Sequence, residues 1–274
     1  MRTIALGVLL ASAIALPAPP SAEARVSGER ALDAVRHIAS FGQRPAGGRH
    51  ERKVANYVAG ELASFGYTVK IQRVALPNGK YSRNVVGRTA GPLRAIVVAH
   101  IDGVYNTVAA NDNGSGVAVM LEVARALRDR PGVLVAGLGA EERHVTGSAY
   151  HLGSRKLVRK LSEEEREGVV FALSLDMVGV GPTLNVRGLE ASPNRSARRA
   201  LRAARALGYS ASYLRDSGVS DHAEMTRAGM QAAWLTWRWD TCWHLPCDRP
   251  DRLKRGKLRR SGKLTALAVR RALG

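Results

Sequence analysis

Four short apolar runs in this chain each stop at residues that can bind a metal or move a proton. Ala95–Ala99 runs into His100, and Val133–Leu138 is followed by Gly139-Ala140-Glu141-Glu142. Phe171–Leu175 runs into Asp176, and Ala232–Thr236 leads to the loop Asp240–Asp248, which holds His244. Runs of β-branched and small apolar residues bounded by turn residues read as buried strands. In open α/β sheets, ligands bind beyond the carboxyl ends of the strands. Taken singly, each tip residue also fits a helix cap or a solvated loop charge. Four such ends, each with a metal-competent side chain, point to one shared site.

The first run carries the most information. His100 and Asp102 lie two residues apart, and strand alternation would send both side chains to one face. Asp112 follows inside Asn-Asp-Asn-Gly-Ser-Gly, just before an amphipathic stretch, Val117–Leu127. One β-loop-α unit therefore delivers an imidazole and a carboxylate, which suits zinc with its nitrogen and oxygen ligands at about 2.0–2.2 Å. Asp102 is then expected to hold the other nitrogen of His100 and fix its tautomer.

The rest of the chain supplies the elements of an α/β domain. Helical spacing runs through Leu32, Val35, Ile38 and Ala39 and again through Val54, Tyr57, Val58 and Leu62, with Gly66 ending the second helix. Tyr67–Val74 and Asn84–Arg88 read as strands flanking a Pro77-Asn78-Gly79 turn. The expected fold is a single domain with a mixed, mainly parallel central sheet and helices on both faces.

Residues 1–24 read as a secretory signal peptide, with Arg2, an apolar core from Ile4 to Leu16, and Ala22-Glu23-Ala24 as the cleavage site. The apolar core is too short to span a bilayer comfortably, and no later stretch reads as a transmembrane helix. The expectation is a secreted, monomeric protein with one domain at 25–274. Its formal charge is +19. Much of this sits in two runs, Arg195, Arg198, Arg199, Arg202 and Arg205 on a helix, and Arg252 to Arg260 ahead of the last helix. Neither run has interleaved aromatics to stack on bases, which argues against specific nucleic-acid binding. A solvated basic face is expected, able to associate weakly with anionic envelope polymers or to steer acidic substrates.

As a set, these motifs resemble the secreted two-zinc aminopeptidases of metallopeptidase family 28. The matching residues are His100-Ile101-Asp102, Asp112-Asn113-Gly114-Ser115-Gly116, Glu141-Glu142, Leu175-Asp176-Met177 and His244, with Gly147-Ser148-x-Tyr150 and Ser220-Asp221-His222 also similar. The resemblance covers the chain from about Leu32 onward. It implies the fold of the zinc-dependent exopeptidases, phosphorylase/hydrolase-like. It also implies two Zn²⁺ ions bridged by Asp112, one completed by Glu142 and His244 and the other by His100 and Asp176. Glu141 would be the general base, acting on peptide substrates with free N-termini. The sequence alone does not divide the roles of Glu141 and Glu142; that order comes from the family.

Further expectations follow from the resemblance. The family's cis peptide after the bridging Asp falls at Asp112–Asn113. Cys242 and Cys247 form a disulfide that stiffens the backbone presenting His244; as reduced thiols they would be extra zinc ligands. Two positions depart from the family: Trp243 stands where a Tyr helps to hold the oxyanion, and Gly103 where Ser is frequent. The indole N–H either substitutes as donor or only packs. His144 reads first as a solvated loop residue and second as one on the rim of the site, His151 as lying in a helix with a structural part, and His222 as close to the site without a role. Two alternatives stay open, a glutaminyl-cyclase-like enzyme using one zinc and a basic envelope-binding module without catalysis.

Overall fold

The computed structural model describes residues 25–143 and 150–274; the readings on residues 1–24, on His144 and on Gly147-Ser148 lie outside them. Helices α1 (Gly28–Ser40) and α2 (Arg49–Ser64) come first. Each buries the stripe its spacing foretells: Ala31, Leu32, Val35 and Ile38 on α1, and Val54, Ala55, Val58 and Leu62 on α2. Ser27 caps α1 by accepting the amide of Arg30 at 3.3 Å.

Among the described residues, the strands and α-helices that follow are β1 (Thr68–Ala75), β2 (Tyr81–Arg88), β3 (Ala95–His100), α3 (Gly116–Leu127), β4 (Val133–Leu138), α4 (Leu152–Lys160) and α5 (Glu163–Gly168). They continue with β5 (Phe171–Leu175), β6 (Thr183–Gly188), α6 (Arg195–Ala206), β7 (Ser212–Arg215), α7 (His222–Arg227), β8 (Ala232–Arg238) and α8 (Arg255–Leu273). The strands form one sheet in the order β1-β2-β4-β3-β5-β8-β6-β7. The central four, β4-β3-β5-β8, are all parallel. The antiparallel joins lie outside them, at β1–β2, β2–β4 and β6–β8.

Alternation along the central strands divides the core in two. Ala95, Val97, Ala99, Val135, Leu173 and Leu175 face the side covered by α1, α2, α3, α6 and α8. Ile96, Val98, Leu134, Ala136 and Leu138 face Leu157 of α4 and Met225 of α7. Both faces of these strands are buried, so their sequences read as continuous apolar runs. This is a single α/β domain with a mixed, mainly parallel sheet and helices on both sides. Register aligns His100 with Leu138 and Leu175 with Leu235, so the four chemistry-bearing ends open on one edge.

Three readings from the sequence change. The last helix starts at Arg255, so Arg255, Lys257, Arg259 and Arg260 lie on α8 rather than ahead of it. Its cations space around an apolar stripe that includes Leu258 and Leu264, which the charge run obscured. Strands β6 and β7 escaped the pattern reading; β7 is only four residues at the sheet edge and buries none of them. His151 does not lie within a helix: it precedes α4 in a left-handed conformation, φ 58°, ψ 30°. Among the described residues no helix is long and apolar enough to cross a membrane.

Candidate metal centre

The strand ends bring His100, Asp112, Glu141, Glu142, Asp176 and His244 to the wall of one cavity of about 440 Å³. Asp112 stands between the two histidines. Its Oδ1 is 3.2 Å from His100 Nε2, and its Oδ2 is 3.2 Å from His244 Nε2. His244 Nε2 is also 3.2 Å from Glu142 Oε2, and His100 Nε2 is 3.7 Å from Asp176 Oδ1. Ligand atoms about 2.0–2.1 Å from a tetrahedral ion lie about 3.3–3.4 Å from one another. The observed separations of 3.2–3.7 Å are close to that spacing. Asp176 Oδ1 is buried without a hydrogen-bond partner, as expected of an atom whose partner is a cation. The residues present therefore fit divalent metal.

Electrostatics agree with the geometry. Four carboxylates are buried around the two imidazoles. Burial pushes Glu142 up to about 8, and the neighbouring Asp112 and Glu141 charges add to this. Burial likewise raises Glu141 to about 7. Burial disfavours a charged His244, but contact with Asp112 and Glu142 outweighs it and lifts the imidazole to about 10. Burial would raise Asp112 as well, yet its contacts with His100 and His244 hold it well below the usual carboxylate range. Such a surplus of buried anion is what divalent cations neutralise.

The Asn-Asp-Asn-Gly-Ser turn is lashed to the exit of β5. Asn113 donates to the Leu175 carbonyl at 2.8 Å and accepts from the Gly116 amide at 2.9 Å. Asn111 accepts from the Gly179 amide at 3.0 Å, and Ser115 from the Val178 amide at 2.9 Å. These bonds keep Asp112 beside Asp176, and they explain why the turn is built of short polar residues. A Cβ at Gly116 would meet both Asn113 Oδ1 and the Leu175 carbonyl at 2.2 Å, so no side chain fits there. The Asp112–Asn113 peptide is cis, as the resemblance led us to expect. A Cβ at Gly103 would lie 2.7 Å from that of Ala109, so the departure at this position goes with a crowded loop.

Asp102 does more than the alternation suggests. Its carboxylate accepts the amides of Glu141 and Glu142, both at 3.1 Å. His100 Nδ1 instead lies 3.2 Å from the Asp102 backbone carbonyl and 3.7 Å from Oδ1. β3 ends at His100, so the pleat no longer sets where residue 102 points. Asp102 thus orients the glutamate pair through the backbone and His100 through its own carbonyl. Cys242 and Cys247 are disulfide-bonded. Trp243 is 56% exposed, with its ring 4.4 Å from that of His244, so it forms part of the cavity rim rather than core.

Several residues at the site had no part in it assigned from the sequence. Asp248 accepts the amides of Asn111 and Asp112 at 2.7 and 3.0 Å, clamping the Asp112 turn to the disulfide loop. Fully buried Arg44 donates to the carbonyls of Ile101, Val108 and Ala109, gathering the loop between His100 and Asp112. His151 Nε2 lies 3.1 Å from Glu141 Oε1. Ala140, His151, Met177 and His244 all have positive φ, each at or beside a site residue, and such backbone outliers cluster where function demands them. His222 is buried behind the site, 3.1 Å from Asp216 Oδ2.

Fold and site together define an α/β domain with a candidate metal centre at the carboxyl edge of its parallel strands. The profile of Peptidase family M28 matches residues 84–269, and the chain belongs to that family. The aminopeptidase YwaD of Bacillus subtilis (strain 168) is 31% identical over 210 residues, 70% of this chain and 45% of that protein. This chain thus spans less than half the length of that relative. Among solved structures, a zinc aminopeptidase from Bacillus subtilis superposes with a TM-score of 0.84 at 20% identity, covering 90% of this chain and 95% of that one. A glutaminyl cyclase of Bacteroides thetaiotaomicron superposes at 0.76 with 21% identity, covering 89% of this chain and 98% of that one. At such identities the superpositions speak for the fold alone.

Proposed function

We propose that this protein is a secreted, two-zinc aminopeptidase that removes residues from the free N-termini of peptides. The observation that carries the reading is Asp112, whose two oxygens each stand 3.2 Å from a different histidine. His100 and Asp176 would hold one ion, Glu142 and His244 the other, and Asp112 both. Bound there, the two zinc ions would lower the pKa of a shared water and polarise the scissile carbonyl. Glu141 takes the water's proton and returns it to the leaving amine. A Glu141 carboxylate oxygen also lies within ligand range of His100 and Asp176. Its role as base rests on Glu142 already meeting His244 and on the family order. Asp102 keeps the two glutamates apart in role by holding both their amides. Trp243 stands at the rim, where its indole N–H can donate to the substrate carbonyl. Secretion rests on the signal-like composition of residues 1–24, and the catalytic domain is residues 25–274.

The test is release of free amino acids from a mixed peptide panel, with and without chelator. Hydrolysis of free but not acylated N-termini, abolished by chelator and restored by zinc, is the expected result. Pyroglutamate formation from N-terminal glutamine without peptide hydrolysis would place the chain with the cyclases instead. Neither reaction, together with tight binding to an anionic polymer, would leave a binding module.

A further inference from the structure

We infer that His151 is a positioning residue for Glu141, its Nε2–H holding one carboxylate oxygen and leaving the other to accept the proton. This rests on the reading of Glu141 as general base and carries it to a residue that no motif in the chain marks.

The contact is built from the backbone outward. The His151 amide donates to the Glu141 carbonyl at 3.1 Å, and the Leu152 amide to that of Ala140 at 2.9 Å. This clasp sets the start of α4 against the end of β4. The left-handed backbone of His151, φ 58° and ψ 30°, is a conformation that residues with a Cβ adopt rarely. The ring is 1% exposed, and its Nε2 lies 3.1 Å from Glu141 Oε1. It has little room to turn away. Tyr150 packs edge-on at 4.3 Å between ring centroids, and Glu224 Oε1 lies 3.7 Å from Nδ1. Glu224 is itself held by Arg155 at 3.3 Å and Arg227 at 2.5 Å. The chain Arg155–Glu224–His151–Glu141 therefore runs from the surface to the cavity, whose wall includes both His151 and Glu141.

A carboxylate with both oxygens free can rotate about its side-chain torsions. A base must instead keep one lone pair within hydrogen-bond reach of the proton it takes. Anchoring Oε1 removes that freedom. Second partners of this kind are typically worth about 10–100-fold in activity, and a small misplacement of a reacting group costs a similar factor. The competing account is that His151 only neutralises a buried carboxylate and holds α4 in place.

Kinetics of His151→Gly, Glu141→Gln and the double variant on a peptide substrate separate the two accounts. Glycine accepts the left-handed backbone without strain. H151G is expected to keep its zinc content and KM while kcat falls about 10–100-fold. Imidazole in the buffer should restore part of kcat by filling the vacated space. In the E141Q background the same change should cost nothing further, since the carboxylate it positions is gone. Unchanged kcat in H151G on an active wild type overturns the inference. So does an equal loss in both backgrounds without imidazole rescue, which marks a structural role. H151N also tolerates this backbone; if both variants lose cooperative unfolding, His151 is a fold residue and the inference falls. Absence of peptide hydrolysis by the wild type is a separate result, and it removes the reading of Glu141 along with this one.

Discussion

Glu141 and Glu142 are neighbours in sequence, both buried, and yet meet different partners: His151 for the first and His244 for the second. Different variants should therefore fail differently. Glu141→Gln is expected to keep zinc through dialysis and lose about 10²–10⁴-fold in turnover, because the amide cannot take a proton. Glu142→Gln is expected to lose one zinc on dialysis and to regain activity in part when zinc is added. Zinc per protein, measured beside activity at several zinc concentrations, decides between this assignment and its reverse. A second residue tests the electrostatics away from the metal. Glu51 on α2 accepts the Gly47 amide at 2.7 Å and is pushed up to about 8 by burial, with the Asp102 charge adding to the shift. Its folded pKa lies above the unfolded one, so the stability it contributes is complete below about pH 4.5 and is lost as pH rises through about 8. Glu51→Gln should flatten the stability profile across that window and raise stability near pH 8 by the order of a few kcal/mol. Urea midpoints measured from pH 5 to 8.5 would show no such flattening if Glu51 titrates normally.

At the scale of elements, the site is a matter of which loops are tied to which. The segment carrying His244 is closed by the Cys242–Cys247 disulfide and fastened to the Asp112 turn by Asp248. So short a closed loop contributes only about 2 kcal/mol by chain entropy. Its consequence should be local. Replacing both cysteines by serine is expected to leave the melting transition cooperative and lowered by a few degrees. The larger effect should be weaker binding of the zinc at His244, by about 10-fold or more. Zinc competition with a chromogenic chelator reads this directly, and equal affinity in both proteins would show that Asp248 suffices. The Asn111, Asn113 and Ser115 side chains do for β5 what Asp248 does for the disulfide loop. Each makes at least one hydrogen bond to the backbone at the end of β5 or just beyond it, so that two ligands from distant parts of the chain share an edge.

For the whole molecule, metal and fold should be linked. The candidate ligands come from the ends of β3, β4, β5 and β8 and the turn before α3, so the site exists only when the central sheet is assembled. Zinc that binds the folded chain and not the unfolded one stabilises by about 2.7 kcal/mol at a hundredfold excess over Kd. In a domain of this size that is a rise of about 5–10 °C in Tm. Thermal melts with chelator and with graded zinc would show it; a Tm indifferent to zinc would mean that these residues hold no metal. The net charge of +19 spreads over a surface in which α6 and α8 pack together without an acidic residue in either.

The sequence by itself determined the central strands and the helices that bear apolar stripes, because burial on one face or two writes a period into the chain. It also marked His100, Glu141, Glu142, Asp176 and His244, which end or follow such runs, and Asp112, in a polar turn ahead of an apolar helix. What it left open are contacts between segments far apart in the chain. That His100 Nδ1 meets a carbonyl while Asp102 serves the glutamate amides depends on where β3 stops. That His151 reaches Glu141 depends on a left-handed residue ahead of α4, which no periodicity encodes. Arg44 and Asp248 read as ordinary charged residues until the fold carries them 57 and 137 positions along the chain to their partners. Local pattern sets which side chains can be buried; only the packed sheet decides which of them meet.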